Sequence, residues 1–441
     1  WPFVFLLIKL LPIPMKIFFR NIHLYLSLAA GLVIMISCLS GAILVFEEEL
    51  NHAMYAQRYF VKPETQRLPI SQLVKNAVAS VPKAKLASVK VYSDASRTVE
   101  IGLMAPEKKS EGSEGRTDAD KASKAQAEHT MSAGEKEKSG NAEGREKGKE
   151  GSEGKKMQKG GGGKPNLTAY VNPYTGQVTE LFNRQKSFFF TVEMLHRWLL
   201  SGKEGIGKTI VGVSTFFFLF ILITGLILWW PKTKAILSQR LKIKWQAGWK
   251  RFNHDMHMVT GFYTSLFLII IVMTGLVMSF NWINKGIFTL TGSKMENPEP
   301  PVSIYQAGAK PISIDAIYQQ ISGKQKAVDF YNIRTPKDSA GVFSVSVLPV
   351  NAMESAMDTY YIDQYSGNIS GSLTFSDKNL GQQIRAYVKP IHTGAVYGLP
   401  TKIISFIICL LTFTFPITGV IMWLNRIKKG KKKAPGKKQM V

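Results

Sequence analysis

Read for its apolar and polar positions, the chain alternates between long apolar runs and much longer mixed stretches. Four runs, approximately residues 22–46, 207–230, 259–282 and 402–424, carry no Lys, Arg, Asp or Glu in their central parts. Each is long enough to cross a hydrocarbon layer of about 30 Å, which takes about 20 residues of helix. They predict four transmembrane helices, the third counted from residue 257. The stretches between them, 47–206 and 283–401, follow a different rule. Leu68-Pro69-Ile70-Ser71 opens a segment with helical spacing, followed by strand-like alternation at 86–92 and 97–104. Lys310-Pro311-Ile312-Ser313 opens a similar segment, with alternation at 327–334 and 342–348. Each stretch then reaches a strand and tight turn, TAYVNPYTGQV at 168–178 and TYYIDQYSGNI at 359–369. Asn, Asp, Pro, Ser and Gly supply the torsions such turns require. Each stretch therefore reads as a small α+β domain. An insertion at about 105–165, mainly Glu, Lys, Gly and Ser, has almost nothing apolar to bury and is expected to be disordered. His129 lies in it and is read as inert.

Charge adds topology. The chain carries a net charge of +25 while 45% of its residues are hydrophobic. Lys232, Lys234, Arg240, Lys242, Lys244, Lys250 and Arg251 follow the second run, and Arg426 opens a lysine-rich tail. Lys16 and Arg20 precede the first run. Basic flanks mark the cytoplasmic side, so segments 1–21, 231–256 and 425–441 are expected there, with both domains outside. The charge is split among membrane flanks, which reads as attraction to anionic lipid and not as nucleic-acid binding. Met15-Lys16 reads as a more natural start than the proline-broken run before it, which is taken as a gene-start artefact. Cys38 and Cys409 form no CxxC or disulfide framework and are read as packing residues.

Four histidines recur in register with these helices. His23 precedes Ser40-Gly41 by 18 residues to the glycine, His196 precedes Thr224-Gly225 by 29, His257 precedes Thr274-Gly275 by 18, and His392 precedes Thr418-Gly419 by 27. Alternating spacing is the signature of a two-helix unit used twice, giving helix–domain–helix followed by helix–domain–helix. Neutral imidazole is a common ligand for iron and other borderline metals, so symmetric histidines point to a bound redox metal. The competing reading is that the repeat is ancestry alone and the histidines are interfacial polar residues. Eighteen residues of helix span about 27 Å. His23 and His257 therefore share the cytoplasmic layer with Gly225 and Gly419. His196 and His392 share the outer layer with Gly41 and Gly275. Those glycines serve either close helix packing or a ligand pocket.

The runs HRWLL (196–200), NHDMHMVTG (253–261), NPYTG (172–176) and PIHTGAVYGLP (390–400) resemble the PepSY-associated transmembrane family. That family includes iron-regulated inner-membrane proteins and ferric-siderophore reductases that bind haem b. The resemblance implies a bacterial inner-membrane protein with PepSY-like extracytoplasmic domains and two b-type haems, His23 paired with His257 and His196 with His392. Glycines would give a flat macrocycle walls without Cβ atoms. Bis-histidine ligation leaves no open iron position, so electron transfer would be outer-sphere. His254, one turn before His257, and His52, after Glu47–Glu49, compete as ligands. Arg197 either pairs with a haem propionate or snorkels to the interface. Asp255 either orients His257 or its neighbour or is a solvated charge. Trp229, Trp230 and Trp423 are read as interface anchors.

The expected function is an oxidoreductase passing electrons outward to a ferric siderophore or similar ferric chelate for iron uptake. Hard oxygen ligands hold ferrous iron less tightly, so reduction releases it. No GxGxxG follows a strand, which leaves a quinol or a partner protein as donor. Two other classes stand beside this reading. One is a membrane-anchored PepSY-domain regulator without enzyme activity, which would not need four histidines in its helices. The other is a siderophore-transport accessory, against which stand the few helices and the lack of an intramembrane charged pathway.

Overall fold

The computed structural model describes residues 13–106, 165–305, 308–324 and 327–433; His129 and nearly all of the charged insertion lie outside them. The first half runs through α1 (Ile13–Val45), α2 (Glu47–Met54), α3 (Ile70–Ala79), β1 (Lys85–Tyr92), β2 (Val99–Met104), β3 (Leu167–Val171), β4 (Val178–Phe182), α4 (Phe188–Trp198) and α5 (Ile206–Trp229). The basic loop carries α6 (Lys234–Arg240). The second half runs through α7 (Trp249–Ser279), α8 (Asn281–Leu290), α9 (Ile314–Lys324), β5 (Val328–Arg334), β6 (Val342–Pro349), β7 (Asp358–Asp363), β8 (Ile369–Leu373), α10 (Leu380–Thr393) and α11 (Leu399–Lys433).

Helices α1, α5, α7 and α11 are each long and apolar enough to cross a membrane, and this is a multi-pass membrane protein. They pack around Ala30, Ile34, Phe218, Leu222, Leu268, Leu276 and Ile408, with Cys38 against this core. Three of them overrun the spans read from hydropathy. α1 begins at Ile13 instead of 22, α7 at Trp249 instead of 257, and α11 extends from Leu399 to Lys433 beyond 402–424. Hydropathy registers only the lipid-facing length, whereas the backbone ladder continues into the interface, where long basic side chains reach water. His23 and His257 consequently lie inside helices. His257 sits in a π turn, Met256–Thr260, within α7.

The two α+β segments are not separate. Their strands form one antiparallel sheet in the order β4-β3-β2-β1-β5-β6-β7-β8. The joint is β1 against β5, from Ser88 opposite Arg334 to Tyr92 opposite Phe330. One face is covered by α3 through Leu73 and Ala77, packed on Val89, Ile101, Leu103 and Val171. The continuation of that face is covered by α9 through Ile317 and Ile321, on Ile333, Val345, Val347 and Ile362. Asp315 of α9 also accepts hydrogen bonds from Ile70 N at 2.6 Å and Ser71 N at 3.3 Å, so one half caps a helix of the other. Asx turns close both outer hairpins: Asn172 Oδ1 accepts from Tyr174 N and Asp363 Oδ1 from Tyr365 N. Gly176 and Gly367 follow at φ +73°.

The opposite face carries a buried cation. Arg58, 4% exposed, donates to both carboxylate oxygens of Glu180, at 3.0 and 2.5 Å. The Tyr55 and Phe182 rings each lie 4.3 Å from its guanidinium carbon. This paired, planar burial is what makes a charge tolerable there.

Thr335 N donates to Ala87 O across the joint. That makes Ser88 and Arg334 a non-hydrogen-bonded pair, the kind with the closer side chains. Ser88→Cys with Arg334→Cys should therefore cross-link under mild oxidation. Cleaving the chain between the two halves and running a non-reducing gel reads the result, and separable fragments would show that β1 and β5 are not neighbours.

Candidate functional site

α4 and α10 are short helices that deliver His196 and His392 to the sheet-side end of the bundle. Ser187 caps α4 by accepting from Phe190 N at 3.1 Å, and Asn379 with Gln382 forms a reciprocal capping box on α10. α4 ends abruptly: Leu199 and Leu200 adopt φ of 48° and 63°, a region costly for branched side chains. The turn returns so closely that a Cβ on Gly207 would overlap the Trp198 carbonyl. α10 ends on Gly394 at φ +74°. Both stops leave the histidine in the last turn, aimed at the bundle.

The structure brings the four histidines together as two pairs. His23 and His257 have ring centres 6.4 Å apart, with planes at 83°. His196 and His392 have centres 6.2 Å apart, at 61°. Each pair takes one imidazole from each half of the chain. The pairs lie at opposite ends of the bundle, His196–His392 toward the sheet and His23–His257 toward the basic loop.

One hydrogen-bond scheme repeats around all four. His23 Nδ1 lies 3.0 Å from Ile221 O and 3.1 Å from Thr224 Oγ1. His196 Nδ1 lies 2.8 Å from Ser37 O and 3.2 Å from Ser40 Oγ. His392 Nδ1 lies 3.0 Å from Ile271 O and 3.2 Å from Thr274 Oγ1. His257 Nδ1 lies 2.8 Å from Thr418 Oγ1. Every one of these hydroxyls donates its own proton back along its helix, Ser40 to Ile36 O at 2.6 Å, Thr224 to Phe220 O at 2.7 Å, Thr274 to Ile270 O at 2.9 Å and Thr418 to Thr414 O at 3.0 Å. The hydroxyl oxygens can then only accept, as the carbonyls must. Nδ1 therefore carries the proton in each ring, and Nε2 keeps its lone pair. Burial, and then the His196 ring, holds His392 down at about 4; burial likewise lowers His196. Both rings are neutral near pH 7, the form in which imidazole binds metals.

At three of the four positions the glycine after the hydroxyl gives the ring its room. A Cβ at Gly41, Gly225 or Gly275 would stand 3.1–3.2 Å from Cε1 of His196, His23 or His392 respectively, and at Gly419 3.6 Å from His257 Cε1. These glycines thus make room for imidazoles, a closer role than walling a ligand's edge, although Gly225 and Gly419 also line a cavity. Ser40, Thr224, Thr274 and Thr418 hold the imidazoles through their hydroxyls, a role the sequence pattern alone does not assign them. Their signal was present, one hydroxyl residue immediately before each glycine.

That cavity, of about 600 Å³, surrounds the His23–His257 pair. Its volume falls in the range of cofactor pockets. The other candidates are not members of either pair. His254 is exposed, lines the cavity, and is bound through Nδ1 to Asp255 Oδ1 at 3.3 Å. Asp255 is buried and also accepts from Arg251 Nε at 2.9 Å, so it orients His254 and not His257. His52 packs edge-on to Tyr59 and Phe60. Arg197 is exposed, paired with Glu193 at 2.8 Å and stacked over Trp198. Among the described residues no group of three or more His, Cys, Asp or Glu side chains could hold a metal ion.

The family profile described as PepSY-associated TM region matches residues 20–426, nearly the whole chain and both histidine pairs. No curated protein matches the chain.

A larger side chain at Gly41 has no space beside His196. Gly41→Leu should destabilise the protein by about 1–3 kcal/mol, read as a fall in apparent melting temperature. Gly286→Leu, where nothing lies within 4 Å of the added Cβ, should leave it unchanged. Equal melting temperatures for the two variants would show that the glycine–imidazole contact carries no packing constraint.

Proposed function

This chain belongs to the PepSY-associated TM region family, and from that premise we propose that it is a dihaem membrane oxidoreductase built as a tandem repeat. It reduces ferric siderophores or similar ferric chelates outside the bacterial inner membrane. The observation that carries the reading is the facing of two imidazoles, each with its Nε2 lone pair unclaimed, at both ends of the bundle. Two metal–nitrogen bonds of about 2 Å plus the two half-rings span about 6 Å, close to the observed centre separations of 6.4 and 6.2 Å. Two protein ligands are too few for a bare ion, so the remaining ligands must come with the metal, as they do in a macrocycle. His23 and His257 would hold one haem b, and His196 and His392 the other. When bound, haem b supplies reversible one-electron iron chemistry at a potential set by axial ligands and burial.

The chain's own part follows from the geometry. Hydrogen bonds from Nδ1 to carbonyls and hydroxyls raise the basicity of each ligating nitrogen and fix the ring plane. With His23 and His257, and His196 and His392, each committed to holding such a group, no position would be left on it for substrate iron, and transfer would be outer-sphere. The basic flanks support a cytoplasmic His23–His257 end, by the positive-inside rule. Electrons from a quinol or a protein donor enter there and leave on the sheet side, where both domains are available to dock the chelate or a carrier.

Pyridine haemochrome analysis of protein made with adequate haem should give two b-type haems per chain. His23→Ala, His257→Ala, His196→Ala and His392→Ala should each give one, and His254→Ala two. Protein without haem would sink the reading. In proteoliposomes, the chemically reduced protein should be reoxidised by an added ferric siderophore, with ferrous iron appearing in a chelator trap. His196→Ala should slow that step at least tenfold, and unchanged reoxidation would place the exit elsewhere.

A further inference from the structure

We propose that the rim of the cavity around His23 and His257 is a carboxylate receptor, in which Arg20, Lys250 and Arg426 take the two propionates of the macrocycle. The inference rests on the dihaem reading and adds to it an orientation and a recognition chemistry.

Three helices from both halves of the chain supply the rim, Arg20 from α1, Lys250 from α7 and Arg426 from α11, and all three line the same cavity as the two imidazoles. The body of that cavity is apolar, with Leu24, Ile34, Phe218 and Leu222 among its walls. It is lined by no Asp or Glu. Among the described residues no ion pair joins Arg20, Lys250 or Arg426 to a carboxylate, whereas Arg58, Arg184, Arg197, Arg251 and Lys402 all have one. Arg426 also lies within electrostatic reach of Arg20. Like charges held at the edge of a low-dielectric cavity repel one another more than they do in water. The arrangement is relieved by anions placed between them, and Arg with carboxylate forms a two-point, planar contact.

The positive-inside rule accounts for basic residues at this end of the helices. It does not account for their convergence on one cavity with the imidazoles inside and no carboxylate among the lining residues. A flat dicarboxylate whose centre sits between His23 and His257 meets both conditions, with its apolar edge in the bundle and its charges at the rim. A phospholipid headgroup could supply the same anionic chemistry from the bilayer, and the test separates the two.

In a His196→Ala background, which retains only the His23–His257 pair, apoprotein is titrated with haem and with haem dimethyl ester, following the Soret band. The unsubstituted rim should bind haem at least tenfold more tightly than the diester. Arg20→Gln with Arg426→Gln should lose that preference and bind the two alike, while Arg20→Lys should retain part of it. Equal affinity for haem and diester at the unsubstituted rim overturns the inference and leaves the dihaem reading standing. So does an Arg20→Gln/Arg426→Gln protein that binds haem unchanged but co-purifies with less phosphatidylglycerol, which would assign the rim to lipid. A Soret band with neither ligand overturns the dihaem reading itself, and the rim assignment with it.

Discussion

The arrangement depends on a single contact made four times: an imidazole Nδ1–H directed at a serine or threonine hydroxyl of a neighbouring helix and, for three of the rings, also at a backbone carbonyl. In lipid a polar group without a partner costs several kcal/mol, so each ring is held where the partner is. The hydroxyl can act as acceptor because its proton is committed to its own helix. The helices must approach closely enough for the ring to reach, and at Gly41, Gly225 and Gly275 that approach leaves a Cβ only 3.1–3.2 Å from the ring. From that contact follow the tautomer, the ring plane and the nearness of two imidazoles at each end of the bundle. Helix packing and site chemistry are here one constraint.

Much of this was legible in the chain. Histidine and glycine positions, read as a repeat, lead to the same neighbours that the structure brings together: His23 with His257 and His196 with His392, each ring beside a glycine of the layer expected for it. The hydroxyls were visible too, but a Ser or Thr in an apolar helix ordinarily bonds to its own backbone. Nothing in one helix reveals that the same oxygen also accepts from another. Helix ends were misplaced because hydropathy measures contact with lipid, and α1 and α7 continue past it. The π turn at His257 leaves no mark in composition or period.

The joint between β1 and β5 was illegible for a different reason. Alternation identifies a strand and its buried face, yet β1 would show the same pattern as a sheet edge or beside any partner. Two separate domains were the natural reading of two separate loops. What the loops lacked individually was cover for an exposed edge, a liability that sheets usually avoid. Pairing the two edges removes it, and Asp315 capping α3 ties the halves a second time. The same division of labour governs the rest of the molecule, since each histidine pair is also completed across the halves.

That joint has a consequence for how the chain is made. β1 ends at Tyr92 and its partner β5 begins only at Val328. At about 5–20 residues per second the intervening chain takes on the order of tens of seconds to synthesise. Throughout that interval the first half stands across the membrane with an open strand edge and two unpartnered imidazoles. Its correct partner is still inside the ribosome, while nascent copies of the same chain nearby offer an equivalent edge. The acquisition of a closed sheet is thus a race between the chain's own second half and its neighbours, and slower translation or denser expression would favour the neighbours.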